Sequence, residues 1–256
     1  MTFPVELKLG NTSLSLHVIF ETLGFFIGFR YFLYLRRRRQ DRINDKNRIW
    51  IIVGATFGAF FFSRLAGALE NPPAFFHAHN PLLYFYANKT IVGALLGGLL
   101  LVEITKKLIH ERSSSGDLFT YPLILAMMIG RLGCFTSGIT EETYGLPTRS
   151  FLGMDLGDGI YRHPVTLYEI GFLAILWIAL RSIEKKTPLR DGYRFQFFLI
   201  AYLLFRFLLD FIKPHYGYAL GLGTIQLFCL AGLLYYSPTI YKIFTNFSRL
   251  TTSYGK

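Results

Sequence analysis

The chain is short of charge and of cysteine, and each shortage excludes something. Charged residues make up 17% of the 256 residues and hydrophobic ones 52%, with a mean hydropathy of +0.37. That balance excludes an ordinary soluble domain. The two cysteines, Cys134 and Cys229, lie in or beside apolar stretches and form no spaced pattern, which argues against a disulfide framework or a thiolate metal cluster. Acidic residues are scarce too, 16 against 27 Lys and Arg, for a formal net charge of +11. On a soluble face that excess would suggest nucleic acid. Here the basic residues fall in short connectors, so the expected partner is anionic lipid and not nucleic acid. The N-terminus MTFPVELKLGNTSLSLHVIF lacks a short apolar core and a small-residue cleavage site. The first apolar run is therefore expected to stay in place as an anchor.

What the chain does have is a series of long apolar runs. Seven are of near membrane-spanning length, at about 18–35, 50–69, 81–104, 118–136, 166–183, 195–213 and 220–238. They predict an all-α, polytopic membrane bundle of about seven transmembrane helices, one domain over residues 1–256. Asn88 and Lys89 split the third run into an aromatic front and a Gly-rich back, which fits a partly re-entrant segment. Lys and Arg collect in every second gap: RRRRQDRINDKNR after the first run, Lys106, Lys107 and Arg112 after the third, and Arg181 to Arg194 after the fifth. By the positive-inside rule the N-terminus is outside and the C-terminus cytoplasmic. Clusters of small residues, SRLAGA and VGALLGGLL, read as faces for close helix packing.

Two outside connectors stand apart. Residues 136–166 hold five glycines, Pro147 and Pro164, and the acids Glu141, Glu142, Asp155 and Asp158. The segment reads either as an ordered loop over the bundle mouth or as a solvated connector. NPPAFFHAHNPLLYFY reads as interfacial, and its His77 and His79 as solvated or headgroup-facing rather than metal-binding.

Arg30, Arg64, Arg131 and Arg206 interrupt or end apolar runs. A guanidinium there costs roughly 2.5–3.5 kcal/mol on insertion scales, so it faces a cavity or a partner unless it snorkels to the interface. Arg30 is near enough to the cytoplasmic cluster to snorkel. Arg206 lies in AYLLFRFLLDF, with Tyr202 one turn before and Asp210 one turn after it on the same face. The stripe is either an intramembrane ion pair or part of a site. Several guanidinium groups in the outer half of a bundle match a phosphodiester, because Arg offers paired donors and stays charged when dry.

GRLGCF, YGLPT, GDGIYRHPVTLYE and AYLLFRFLLDF follow one another in this order, and the combination resembles the bacterial prolipoprotein diacylglyceryl transferase family over about residues 18–238. The resemblance implies a multi-pass enzyme of the bacterial cytoplasmic (inner) membrane. Such an enzyme moves the diacylglyceryl group of phosphatidylglycerol to the lipobox cysteine of a preprolipoprotein and releases glycerol phosphate. It implies no metal or organic cofactor. Position by position, Arg131 matches the Arg of the family's Gly-Arg-x-Gly-Asn-Phe signature. Arg206 and Tyr202 match an essential Arg and its neighbouring Tyr, and Asp210 stands where the family has Glu. Arg64 matches a second-span Arg, and His163, Tyr168 and Glu169 match a His-Pro-x-x-x-Tyr-Glu stretch. Cys134 replaces the signature Asn, and Val92 replaces the His of a third-span His-Gly-Gly. The stretch between Phe135 and Tyr144 is longer than in the family.

On this reading Arg131 and Arg206 hold the phosphate and stabilise charge developing on its oxygens. Arg64, Asp210 and Cys134 complete the substrate-binding set, and Tyr202 belongs with the catalytic group. With Val92 unable to carry a proton, the candidate bases are Glu142, His163 and Glu169. Cys134 reads as a packing cysteine before it reads as a nucleophile. Two other readings stay open: a phospholipid-dependent transferase with another acceptor, and a protein that binds or transports lipid without chemistry.

Overall fold

The computed structural model describes residues 3–9, 12–39, 41–187, 189–218 and 221–245. A short hairpin, β1 (Glu6–Leu9) with β2 (Thr12–Ser15), leads directly into α1 (Leu16–Arg39). Then come α2 (Asp45–Ala68), α3 (Pro72–Phe76), α4 (Pro81–Ala87), α5 (Ile91–Leu108) and α6 (Asp117–Ser137). After a loop holding the two-residue strands β3 (Met154–Asp155) and β4 (Tyr161–Arg162), the chain continues as α7 (Val165–Lys186), α8 (Tyr193–Leu209), α9 (Thr224–Tyr235) and α10 (Ser237–Thr245). The architecture is an all-α bundle.

The helix starts follow local chemistry. Asn44 accepts from the Asn47 amide at 2.8 Å, and Asn71 and Asn80 do the same ahead of Pro72 and Pro81. Thr90 caps α5 through the Gly93 amide at 3.1 Å. Each side chain satisfies an amide that the first helical turn leaves open.

Among the described residues five helices are long and apolar enough to span a membrane, or up to six if α9 and α10, bent by 60°, make one span. The third expected run is two helices, broken at Asn88–Thr90. Glu103, Lys106 and Lys107 lie near the end of α5, so its uncharged stretch stops at Val102. The outward faces are apolar: Phe25 is 73% exposed, Phe57 63% and Ile175 68%, as lipid-facing positions must be.

Two glycine-lined pairings set the frame. Between α2 and α5, a Cβ on Gly58 would lie 2.3 Å from the Gly97 carbonyl oxygen, and one on Gly97 would lie 2.3 Å from Phe62 Cβ. Between α1 and α6, a Cβ on Gly24 would meet the Ala126 carbonyl at 2.9 Å, and one on Gly133 would meet the His17 carbonyl at 3.0 Å. Backbones approach this closely only where side chains are missing. The apolar core, with Tyr121, Ile124, Leu173, Phe198, Leu203 and Cys229 among its members, fills the space between α6, α7, α8 and α9.

The 136–166 segment is tied down at several points. Ile139 N–H donates to the Leu156 carbonyl, Gly145 N–H to the His163 carbonyl, His163 N–H to the Leu146 carbonyl, and Leu146 N–H to the Ile212 carbonyl at 2.8 Å. Gly138 has φ 59°, and a Cβ there would lie 2.2 Å from the Leu156 carbonyl oxygen, so the turn leaving α6 needs glycine.

Candidate active site

Three helices converge on one buried carboxylate. Glu169, about one turn into α7, is 1% exposed. Tyr202 from α8 donates its hydroxyl to Glu169 Oε1 at 2.7 Å. Arg131 Nε, near the end of α6, lies 2.9 Å from Glu169 Oε2, and Arg206 Nη1 lies 3.3 Å from the same oxygen. Arg206 Nη2 also lies 3.8 Å from Asp210 Oδ1. The spacing explains the grouping: Tyr202, Arg206 and Asp210 repeat every four residues and share one face.

The group is dry and incompletely satisfied. Arg131 is 7% exposed and Arg206 4%, and the Nε atom of each is buried without a hydrogen-bond acceptor among the described residues. Arg131 Nε is close to Glu169 but poorly aligned with it. Unmet buried guanidinium donors are uncommon, and an anionic oxygen is what would satisfy them.

Beside this group lies a second set of charges, just beyond the ends of α2 and α8. Lys213, just after the turn that opens at Asp210, is 8% exposed, and Glu70 follows α2. Burial pushes the Glu70 carboxyl above the ordinary carboxylate range; the Lys213 charge opposes this, while Asp210 and Glu142 add to it. Burial lowers Lys213 from its ordinary value, as does the Arg206 charge, while Glu70 and Asp210 oppose the shift.

A third set forms where α1 meets α6. His17 Nε2 lies 3.0 Å from Glu141 Oε1 and 3.4 Å from Glu21 Oε2, and Glu21 is paired with Lys89. Cys134 joins this set, and Arg131 Nη1 donates to its Sγ at 3.6 Å. Cys134 also opens on a narrow cleft lined by Thr143, Tyr144, Leu156 and Thr166.

The candidate residues thus divide. Arg131, Arg206, Tyr202, Glu169 and Asp210 are brought together, with Cys134 at their edge. His163 lies apart in the loop, its Nδ1 3.2 Å from the Tyr168 hydroxyl. Glu142 is exposed. Arg64 turns to its own helix and to α4, bonding Ser63 Oγ at 3.0 Å and stacking on Phe60 and Tyr86. Val92 is 1% exposed within the apolar core. His17, Glu21, Glu70 and Lys213 were not singled out by sequence. The available signal was His17 and Glu21 four residues apart at the head of the first span.

The family model described as prolipoprotein diacylglyceryl transferase matches residues 4–240. The chain belongs to the prolipoprotein diacylglyceryl transferase family. It is 32% identical to the phosphatidylglycerol–prolipoprotein diacylglyceryl transferase of Bordetella parapertussis, with 82% of each chain covered. It is 30% identical to that of Treponema denticola, over 72% of this chain and 67% of the relative. The corresponding Staphylococcus haemolyticus protein is 27% identical over 93% of this chain and 91% of its own. Family membership and the membrane-helical architecture together support a transferase of the diacylglyceryl-transfer type.

Proposed function

We propose that the protein transfers the diacylglyceryl group of phosphatidylglycerol to the lipobox cysteine of a preprolipoprotein in the bacterial inner membrane, with its N-terminus outside. The observation that carries this reading is the convergence of Arg131 and Arg206 on one oxygen of Glu169, each with a buried donor unmet. The two guanidinium groups grip the phosphodiester. A sulfur nucleophile attacks the glycerol carbon bearing the phosphate oxygen, the carbon–oxygen bond breaks, and glycerol phosphate leaves with its new charge facing the two Arg residues. Holding lipid and peptide side by side supplies a further share of the rate. The 136–166 loop, joined to the turn after α8 through Leu146 and Ile212, closes over the site.

A second reading, the same lipid donor with another acceptor, is favoured by Val92, a residue that carries no proton, being packed in the apolar core. One assay separates the two. Purified protein in phosphatidylglycerol liposomes is incubated with a synthetic lipobox peptide, beside an active relative. The proposal expects a mass gain of one diacylglyceryl group, absent with a Cys→Ser peptide. Headgroup release without peptide modification would transfer support to the second reading.

A further inference from the structure

His17, Cys134 and Glu141 come from three separate pieces of chain, the head of α1, the end of α6 and the loop that follows. One ligand-capable atom from each lies within 4.8 Å of the other two. We infer that these three residues form a site for a thiophilic divalent cation, zinc by preference, with one coordination position open to the acceptor thiol. The metal-binding part stands on the geometry alone; the part played by the acceptor rests on the transfer reading above.

The donor set is the first argument. One imidazole nitrogen, one thiolate and one carboxylate suit zinc, and three protein ligands with an open fourth position are the pattern of reactive rather than structural zinc sites. A tetrahedral zinc ion sets such atoms about 3.3–3.6 Å apart, from bond lengths of about 2.0–2.3 Å. His17 Nε2 and Glu141 Oε1 are already 3.0 Å apart, and closing the set needs only side-chain adjustment. All three residues are half-buried, dry enough to hold an ion and open enough to admit a fourth ligand.

The scaffold is the second argument. Gly133 keeps the backbone of α6 close to α1, where an added Cβ would meet the His17 carbonyl oxygen at 3.0 Å. The Val5 amide donates to the Thr136 carbonyl at 2.8 Å, tying the N-terminal segment to the end of α6. Glu21, held by Lys89, stands beside His17 as a further carboxylate.

The position is the third. Cys134 Sγ accepts from Arg131, and Arg131 is half of the phosphate grip. A sulfur bound as fourth ligand therefore sits next to the lipid phosphate. Coordination makes a thiol lose its proton outright; the proton is released to solvent at the half-buried site. The bound thiolate forms the new sulfur–carbon bond, the carbon–oxygen bond breaks, and its electron pair leaves on glycerol phosphate. No change of oxidation state is involved. This arrangement would do the work that Val92 cannot.

The test uses the full-length protein in detergent, stripped with a chelator and titrated with zinc alone. The expected result is a single zinc per chain, lost in Cys134→Ser and His17→Gln. With cobalt in place of zinc, a sulfur-to-metal charge-transfer band is expected that Cys134→Ser removes. Glu141→Gln, a change at a half-exposed loop position that the fold tolerates, should weaken zinc affinity about tenfold or more. A stripped protein that binds no zinc, or one whose zinc is unaffected by all three substitutions, overturns the site. If stripped protein lipidates the peptide at full rate, the metal proposal falls and the transfer reading stands. If zinc binds as expected but no peptide is modified, the site stands and the transfer reading falls.

Discussion

Tyr202 donates to one oxygen of Glu169 at 2.7 Å and so leaves the other oxygen to the two guanidinium groups. Removing that carboxylate leaves Arg131 without its carboxylate partner and Arg206 with only the more distant Asp210. Breaking one partner out of a buried ion pair costs about 3–5 kcal/mol. Glu169→Ala should accordingly lower the thermal midpoint in detergent sharply. Tyr202→Phe, which leaves the charges paired, should cost about 1 kcal/mol. Thermal unfolding followed by circular dichroism compares the two, and equal losses would contradict the arrangement.

Arg131 and Arg206 differ in what a lysine could replace. A lysine keeps the charge at either position but not the planar paired donors. Arg206→Lys and Arg131→Lys should each lower turnover about 100-fold or more, with protein level maintained. The lipobox-peptide assay reads this directly. Near-normal turnover in both would end the phosphate-grip reading.

The pH dependence of stability has a sign that Glu70 sets. Its carboxyl lies above the ordinary range, chiefly through burial, so the folded chain holds that proton more tightly than the unfolded chain does. The contribution is complete below the ordinary Glu value of about 4.3 and erodes as pH rises through the raised value. Glu70→Gln removes the dependence. The variant should gain on the wild type as pH goes from about 4 to about 7, measured as thermal midpoints at each pH. A gap that stays constant, or narrows, would contradict this.

Two glycines give opposite expectations. Gly97→Val places a Cβ 2.3 Å from that of Phe62 and should cost about 1–3 kcal/mol or more through overpacking. Gly171, in α7, has nothing within 4 Å of an added Cβ. Gly171→Ala should therefore be neutral or stabilising by up to about 1 kcal/mol. Midpoints of thermal unfolding distinguish the pair.

The bundle and its central group were largely legible in the sequence, for a specific reason. Arg131, Tyr202, Arg206 and Asp210 are polar residues in apolar helices, and the helical repeat places the last three on one face. The break at Asn88 and Lys89 was legible too, because a polar pair interrupts an apolar run. The last run was expected to end at 238, beside the Ser237–Pro238 break, but the further helix α10 beyond the bend was not expected. His17 was missed because one histidine at the head of a span looks like any interfacial residue. Only the fold shows that Gly133 brings Cys134 beside it. Arg64 was grouped with the other guanidiniums on its position in a span, but Phe60 and Tyr86 offer it a nearer aromatic surface.

On the phosphate-grip reading, Glu169 holds the place that the phosphate of a bound lipid would take, and this makes it an internal competitor. Every lipid that enters must displace a carboxylate of fixed charge from two Arg residues, so the resident ligand sets a threshold for admission. A headgroup of net negative charge clears it more readily than a zwitterion, whose ammonium is repelled by the same pair. In this reading, selectivity for donor lipid comes less from a pocket shaped around the headgroup than from an exchange of one anion for another.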